Sequence, residues 1–229
     1  MSDLRTLEAA IGVTFADNSL LQQALVHRSF LNENPGFPLE SNERLEFLGD
    51  AVLGFVAAEY LYKTFPGTDE GELTTLRSAL VRAETLAGVA SGYGIGDFLL
   101  LGRGEAASGG RARQTVLSAA LEALVGAAYL DRGLAVTRSF ILRFLKPELQ
   151  RVQVNQLAKD YKSRLQELAQ AKLQQTPTYR TVSEVGPDHA KLFTVEILLG
   201  GVPIALGEGR SKQQAQQNAA KNALEAWGD

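Results

Sequence analysis

The chain has 229 residues, 45% of them apolar and 21% charged, with a formal net charge of −3. This balance suits a globular protein of one or two domains, and the absence of cysteine excludes disulfides and thiolate metal sites. No apolar run reaches the length of a membrane span, and MSDLRTLEAA at the N-terminus has no signal-peptide core, so a cytoplasmic protein without membrane contact is expected. The negative balance argues weakly against nucleic acid as a partner. It is not uniform, however. Residues 155–229 hold nine Lys/Arg against eight Asp/Glu, a net of +1, which leaves −4 on the remainder.

In chain order, residues 1–150 read as helical almost throughout. Asn18 and Ser19 are candidate caps for a helix through LLQQAL. The next helix starts at Ser41 or Asn42, continues to about Thr64 and stops before Pro66. A long helical pattern follows through LTTLRSALVRAETLAGVA and ends near Gly92 or Gly94. LGRGEAASGG reads as a loop, and two further helices fill 113–130 and 134–146. Pro147 and the polar stretch after it mark a linker, placed at 151–157. Beyond it the period changes. KDYKSRLQELAQAK is an amphipathic helix. TYRTVSEV, KLFTVEILL and VPIALGEG read as three strands, with GPDHA and GG as turns, and SKQQAQQNAAKNALEAW closes the chain as a helix. The expected fold class is α+β: an all-α unit over 1–150 and an α-β-β-β-α unit over 158–229.

Within the first unit, NERLEFLGDAV (42–52) carries the chemistry. Glu43, Glu46 and Asp50 sit at i, i+3 and i+7, a spacing that stacks three carboxylates on one helix face. Like charges so placed destabilise a helix by a few tenths of a kcal/mol per pair, and a hard divalent cation with oxygen ligands would offset that. Acidic residues near a helix start also favour its dipole, so a solvated face explains the same pattern. Glu122 adds to the case. It lies in VLSAALEALVGAAYL (116–130), otherwise almost wholly apolar, where an unpaired charge is costly. It could pair with Arg44 or Arg82, or complete a metal site with Glu46 and Asp50. The glycines at 92, 94 and 96 form no dinucleotide fingerprint.

NERLEFLGDAV resembles the signature of bacterial ribonuclease III, the endonuclease that cuts double-stranded RNA. HRSF (27–30), DEGELTTLRSALV (69–81), LGRGEAASGGR (101–111) and LEALVGAAYLD (121–131) resemble further blocks of that family, in family order. Residues 158–227 resemble its double-stranded-RNA-binding domain. The resemblance implies Mg²⁺-dependent hydrolysis of duplex RNA, with Mn²⁺ as a possible substitute. The products implied are 5′-phosphate ends with short 3′ overhangs, and the substrates ribosomal RNA precursors and other structured transcripts. It places Glu46, Asp50 and Glu122 at metal-binding positions, with Asp50 and Glu122 catalytic, and Glu43 and Glu70 at accessory acidic positions. Asn42 and Arg44 are expected to orient the signature helix or a carboxylate, and His27 to be a packed or helix-end residue rather than a catalytic base.

There is one departure from the family pattern. Three residues before the glutamate at 122 the family carries Asp, and here stands Ala119. Water can take that place on Mg²⁺. Ser118, the adjacent hydroxyl, lies about 100° around the helix.

Such RNA-binding domains read the shape of the A-form minor groove over roughly 16 bp. By resemblance the contacts are Lys162, Gln166 and Glu167 on the first helix, Pro187, Asp188 and His189 in the turn, and Ser211, Lys212 and Gln213 at the start of the last helix. Arg103 and Arg111 are candidate phosphate contacts in the nuclease unit. The run Gln213, Gln214, Gln216, Gln217 implies weaker electrostatic attraction than lysines would give. The family cuts two strands as a homodimer, and Phe47 could pack across such an interface or within the core. Two other functions fit parts of the chain: duplex RNA binding without cutting, and metal-dependent hydrolysis of small phosphate esters.

Overall fold

A computed structural model of the chain describes residues 3–187 and 191–227, with the backbone alone over 153–160. The chain divides into two compact units, 1–150 and 151–229, each described by itself. Among the described residues no helix is long and apolar enough to cross a membrane.

The first unit is helical. Its elements are α1 (Leu4–Ile11), α2 (Asn18–Ala24), α3 (Arg28–Glu33), α4 (Glu43–Thr64), α5 (Glu70–Val81), α6 (Ala83–Gly92), α7 (Arg103–Ala107) and the first part of α8 (Gln114–Leu173). The apolar stretch 116–128 of α8 runs through the core and meets side chains from every direction; Leu121, Leu124, Val125 and Ala128 are fully buried. Asp17, rather than Asn18 or Ser19, caps α2 by accepting from the Ser19 N–H. Remote groups close other ends. The Asp131 carboxylate accepts from the Ala16 and Asp17 N–H groups at 2.8 and 2.9 Å, and Arg143 donates to the Ile11 carbonyl at 2.7 Å, at the end of α1.

Three expectations need correction. The helical pattern over 73–90 is broken in two at Arg82, which is extended (φ −67, ψ 149). The Thr85 hydroxyl donates to the Ala79 carbonyl at 2.8 Å there and closes α5. The segment 101–110 is not an open loop, since it contains α7 and enters a short 3₁₀ turn at Gly110–Ala112. Helical backbone also does not stop at Pro147. It is interrupted at Gly133 (φ 72, ψ 178) and then continues through Pro147 and the stretch 151–157. A proline there removes its own N–H from the Arg143 carbonyl and crowds that carbonyl with its ring, yet the helix continues on both sides of it.

The second unit is a three-stranded antiparallel sheet in the order β1-β2-β3, built from Thr178–Val185, Leu192–Leu199 and Val202–Gly209. It is packed against α9 (Lys212–Trp227) and residues 161–173 of α8. Leu165, Ile197, Ala219, Ala220, Ala223 and Leu224 form its core. The alanines of α9 lie directly on β3: a Cβ added at Gly207 would fall 2.0 Å from the Ala219 nitrogen.

Candidate active site and nucleic-acid surface

The start of α4 is pinned before any acidic residue appears. Asn42 is buried, its backbone N–H donates to the Val26 carbonyl at 2.8 Å and its side chain to the Ala24 carbonyl at 3.2 Å. The strand-like bridge between Val26 and Leu100 holds the same corner. Asn42 therefore orients the helix, as expected.

Around α4 the residues sort into three stripes. Leu45, Gly49, Val52 and Val56 are buried. Glu43, Glu46 and Asp50 lie beside them, Glu43 and Glu46 in the first turn where the helix dipole favours negative charge. Phe47, Phe55 and Tyr62, within about 80° of one another, are 81%, 56% and 73% exposed. Phe47 is thus no core residue.

Two glycines set the spacing between α4 and α8. A Cβ at Gly49 would fall 1.7 Å from the Glu122 carbonyl oxygen, and one at Gly126 would fall 2.2 Å from the Leu45 carbonyl oxygen. The helices touch backbone to backbone, which brings Glu122 beside the acidic stripe. Burial, then Asp50, then Glu46 push the Glu122 carboxyl up to about 7. Glu46 is also raised, by burial first and then by Glu43 and Asp50. Neither expected arginine serves Glu122: Arg44 pairs with Glu40 and Arg82 with Glu84, each at 3.3 Å. Glu43 is the tethered acid, 3.6 Å from Arg28 and accepting from the Ser41 hydroxyl at 3.0 Å.

A cleft of about 160 Å³ lies along this stripe, lined among others by His27, Glu43, Glu46, Thr115 and Ala119. Ala119 therefore faces the acidic residues and presents a methyl group where an oxygen ligand would serve. Ser118 does not compensate, because it is buried and donates to the Thr115 carbonyl at 3.2 Å. His27 caps α3, its Nδ1 accepting from the Ser29 N–H at 3.2 Å and lying 2.7 Å from the Ser29 hydroxyl. Glu70, in the first turn of α5, accepts from the Thr74 hydroxyl at 3.0 Å and does not line the cleft.

The donor set suits a hard divalent cation in kind, being all carboxylate. It falls short in number. Among the described residues no three acidic or histidine side chains converge closely enough to hold an ion. The carboxylates of Glu46, Asp50 and Glu122 form no such group, and Ala119 offers a methyl rather than an oxygen.

Of the expected RNA contacts in the first unit, Arg103 is exposed at the start of α7, with its N–H held by Glu33 at 2.9 Å. Arg111 is turned to the protein, donating to the Gly96 and Leu99 carbonyls at 2.8 and 2.9 Å.

In the second unit, Gln166 and Glu167 are exposed and line a shallow groove with Ser163 and Gln170. Lys162 is tied inward, 2.8 Å from the Gln216 side chain and 4.4 Å above the Tyr179 ring. Ser211 caps α9, accepting from the Gln214 N–H at 3.1 Å, and Lys212, Gln213 and Gln214 are exposed in the same turn. Pro187 precedes Asp188 and His189, which lie outside the described residues.

Comparison with known proteins agrees with both units. Residues 17–149 match the ribonuclease-III-like family model, and residues 161–226 match the double-stranded RNA binding motif. The chain is similar to ribonuclease 3 of Dehalococcoides mccartyi strain CBDB1, 52% identical over 227 residues that span 99% of this chain and 96% of that protein. It is 49% identical to the Roseiflexus enzyme over 222 residues, covering 96% of this chain and 94% of that one, and 45% identical to that of Streptococcus pneumoniae strain P1031 over 226 residues, covering 98% and 97%. Among solved structures, the nuclease domain of ribonuclease III from Campylobacter jejuni superposes with a TM-score of 0.59 at 39% identity, covering 64% of this chain and 96% of that one. A second structure of the Campylobacter domain concerns flexibility in a region involved in dimer formation. The fold and acidic cleft define a helical endonuclease joined to a duplex-RNA-binding unit. The chain belongs to the ribonuclease III family of double-stranded-RNA endonucleases.

Proposed function

We propose that the chain cuts double-stranded RNA with Mg²⁺, or Mn²⁺ in its place, held by Glu46, Asp50 and Glu122. The observation that carries this reading is the crossing at Gly49 and Gly126, which sets Glu122 against Asp50 and Glu46 and raises its carboxyl to about 7. Three acids that repel one another, Glu46 and Glu122 half-buried and Asp50 exposed, are the electrostatic counterpart of a cation. A bound divalent ion supplies an acidified water and relief of charge on the phosphodiester. The chain's own residues do the rest. Asp50 and Glu122 would hold and orient the ion, and the repulsion that raises the Glu122 carboxyl without the ion would be relieved by its charge. Glu43, tethered by Arg28, shapes the acidic surround, and Glu70, outside the cleft, is assigned an accessory acidic role. Water attacks phosphorus, the bond to the 3′ oxygen breaks, and the products are a 3′-hydroxyl and a 5′-phosphate.

The exposed stripe of Phe47, Phe55 and Tyr62 borders the acidic one and supports a homodimer built by this helix, with one site per strand and short 3′ overhangs. The second unit holds the duplex through Lys162, Gln166, Glu167, His189, Ser211, Lys212 and Gln213, and the nuclease unit adds Arg103, whereas Arg111 would first have to leave the Gly96 and Leu99 carbonyls. Ribosomal RNA precursors and other structured transcripts in the cytoplasm are the substrates we assign. The units 1–150 and 158–229 are read as separate nuclease and RNA-binding domains.

Duplex binding without cutting has one observation in its favour, the methyl of Ala119 in the acidic cleft. A single assay separates the two. Glu122→Gln keeps shape and removes the charge. Cleavage of a long duplex in Mg²⁺ should fall by two or more orders of magnitude while duplex affinity holds, roughly the loss of a key catalytic group. Wild-type protein that binds duplex and never cuts it at any Mg²⁺ concentration would establish the binding-only reading instead.

A further inference from the structure

The start of α9 carries a charge arrangement that duplex binding alone does not explain. The Lys212 ammonium lies 2.6 Å from the Glu184 carboxylate and 5.7 Å above the Phe193 ring. Glu184 and Phe193 are register partners at the end of β1 and β2, so the lysine is seated on a fixed platform. Lys191 approaches the same carboxylate at 4.0 Å. Glu184 is held below the usual carboxylate range by its hydrogen bond with Lys212 and by the charges of both lysines. One carboxylate thus engages two cations beside the turn that precedes β2 and the first turn of α9, two of the three surfaces read as duplex contacts. Around it the side chains at 213, 214, 216 and 217 are all amides.

We propose that Glu184 is an internal rival of RNA phosphate for Lys212, and so sets both the strength and the salt sensitivity of duplex binding. Two effects act together. A phosphate must take the ammonium from a carboxylate already at hydrogen-bond distance, and it must then sit near that carboxylate's own charge. A lysine neutralised within the protein also displaces fewer counterions from the duplex, and the slope of log K against log salt shrinks by about 0.9 for each phosphate the protein leaves unneutralised. At ~0.1 M salt one such phosphate is worth roughly three- to tenfold in affinity. The consequence is a domain that reads duplex shape through amides and hydroxyls and holds its substrate loosely enough to release it.

The inference rests on the assignment of Lys212 to the RNA-facing surface, and the test separates the two. Fluorescence anisotropy of a duplex of about 20 bp, with full-length protein in chelator to prevent cutting, is followed across KCl concentrations. Glu184→Gln should tighten binding roughly three- to tenfold near 0.1 M KCl and steepen the slope by about one. Lys212→Gln should weaken binding and flatten the slope. Glu184→Gln should then gain clearly less in the Lys212→Gln background than in the wild type. Glu184→Ser, on the same exposed strand end, should move in the same direction and guards against an effect peculiar to glutamine. Weaker or unchanged binding by Glu184→Gln overturns the rivalry, because it makes Glu184 a support for Lys212 or a bystander. An equal gain in both backgrounds also overturns it, because it leaves only general repulsion. If Lys212→Gln changes nothing, the inference falls together with the assignment of Lys212 to the RNA face.

Discussion

Gly49→Ala tests whether the two-glycine crossing holds the active site together. The added methyl would lie 1.7 Å from the Glu122 carbonyl oxygen and 2.6 Å from its carbon, with the Gly126 nitrogen at 3.0 Å. All three are backbone atoms of a helix and cannot rotate away. Restoring ordinary contact near 3.5 Å requires α4 and α8 to part locally by roughly 1.5–2 Å. Overpacking of this kind costs about 1–3 kcal/mol, and the rigid neighbours favour the upper end. Alanine returns about 1 kcal/mol of helix propensity, so a net loss of about 2 kcal/mol is expected. For a unit of this size that is a drop of roughly 4–8 °C in the thermal midpoint. Gly88→Ala is the control, since Gly88 lies within α6 and its added Cβ meets nothing within 4 Å; it should be neutral or gain stability. Because the crossing also positions Glu122 against Asp50 and Glu46, cleavage by Gly49→Ala should fall at least tenfold even below its midpoint, a misplacement of ~1 Å being worth up to a hundredfold. Calorimetry and single-turnover cleavage measure both. A Gly49→Ala protein as stable and as active as Gly88→Ala would refute the reasoning.

Other outcomes follow from the same geometry. Glu122, raised to about 7 from the ordinary glutamate value of 4.5, keeps its proton in the fold after the unfolded chain has lost it. Its contribution to stability is therefore greatest below 4.5, declines as pH rises from 4.5 to about 7, and is level above. In chelator the midpoint of the nuclease unit should accordingly decline with less slope in Glu122→Gln than in the wild type; identical slopes would show that Glu122 is not the titrating group. Ala119→Asp should lower the Mg²⁺ concentration for half-maximal cleavage by about tenfold, and should destabilise the protein without the ion and restore it with the ion. Unmoved titrations of activity and of thermal midpoint would count against a ligand position at 119. Among the described residues the buried Tyr179 hydroxyl has no hydrogen-bond partner, and burial pushes it up to about 12. Tyr179→Phe should therefore be neutral or stabilise the second unit by up to ~1 kcal/mol, and a clear loss in thermal unfolding would reveal a partner for that oxygen.

Much of this architecture is legible in the residues because the signals are local. The bounds of α4 follow from its apolar face and from Pro66, and the three strands from their flanking turns and β-branched content. The features that sequence reading misses depend on contacts that hydrophobic periodicity does not evaluate. Nothing between 73 and 90 announces the break at Arg82, which has neither proline nor glycine and is closed by the reach of Thr85 back to Ala79. Pro147 reads as a stop because an interior proline costs a hydrogen bond and a steric clash, yet the helix runs through it. At the site, spacing exposes the acidic stripe and the isolation of Glu122 signals a special role. The crossing that joins them is written in Gly49, between Leu48 and Asp50, and Gly126, between Val125 and Ala127, a pairing that single-helix periodicity does not evaluate. Arg111 looks available for phosphate because the carbonyls that occupy it, at Gly96 and Leu99, come from another turn of the chain. The missing donor at Ala119 is visible only against the family pattern.

The glycine pair also separates architecture from chemistry. Spacing between α4 and α8 is fixed by backbone contact at Gly49 and Gly126, while the reactive side chains hang at the margin of that contact, so each can be exchanged without refitting the helices. Position 119 is then an open socket on a rigid mount, pointing into an acidic cleft. Aspartate there would favour hard ions such as Mg²⁺ and Mn²⁺, and histidine would shift preference toward softer ones. The same frame could carry a series of nucleases that differ in one side chain and in the metal they require.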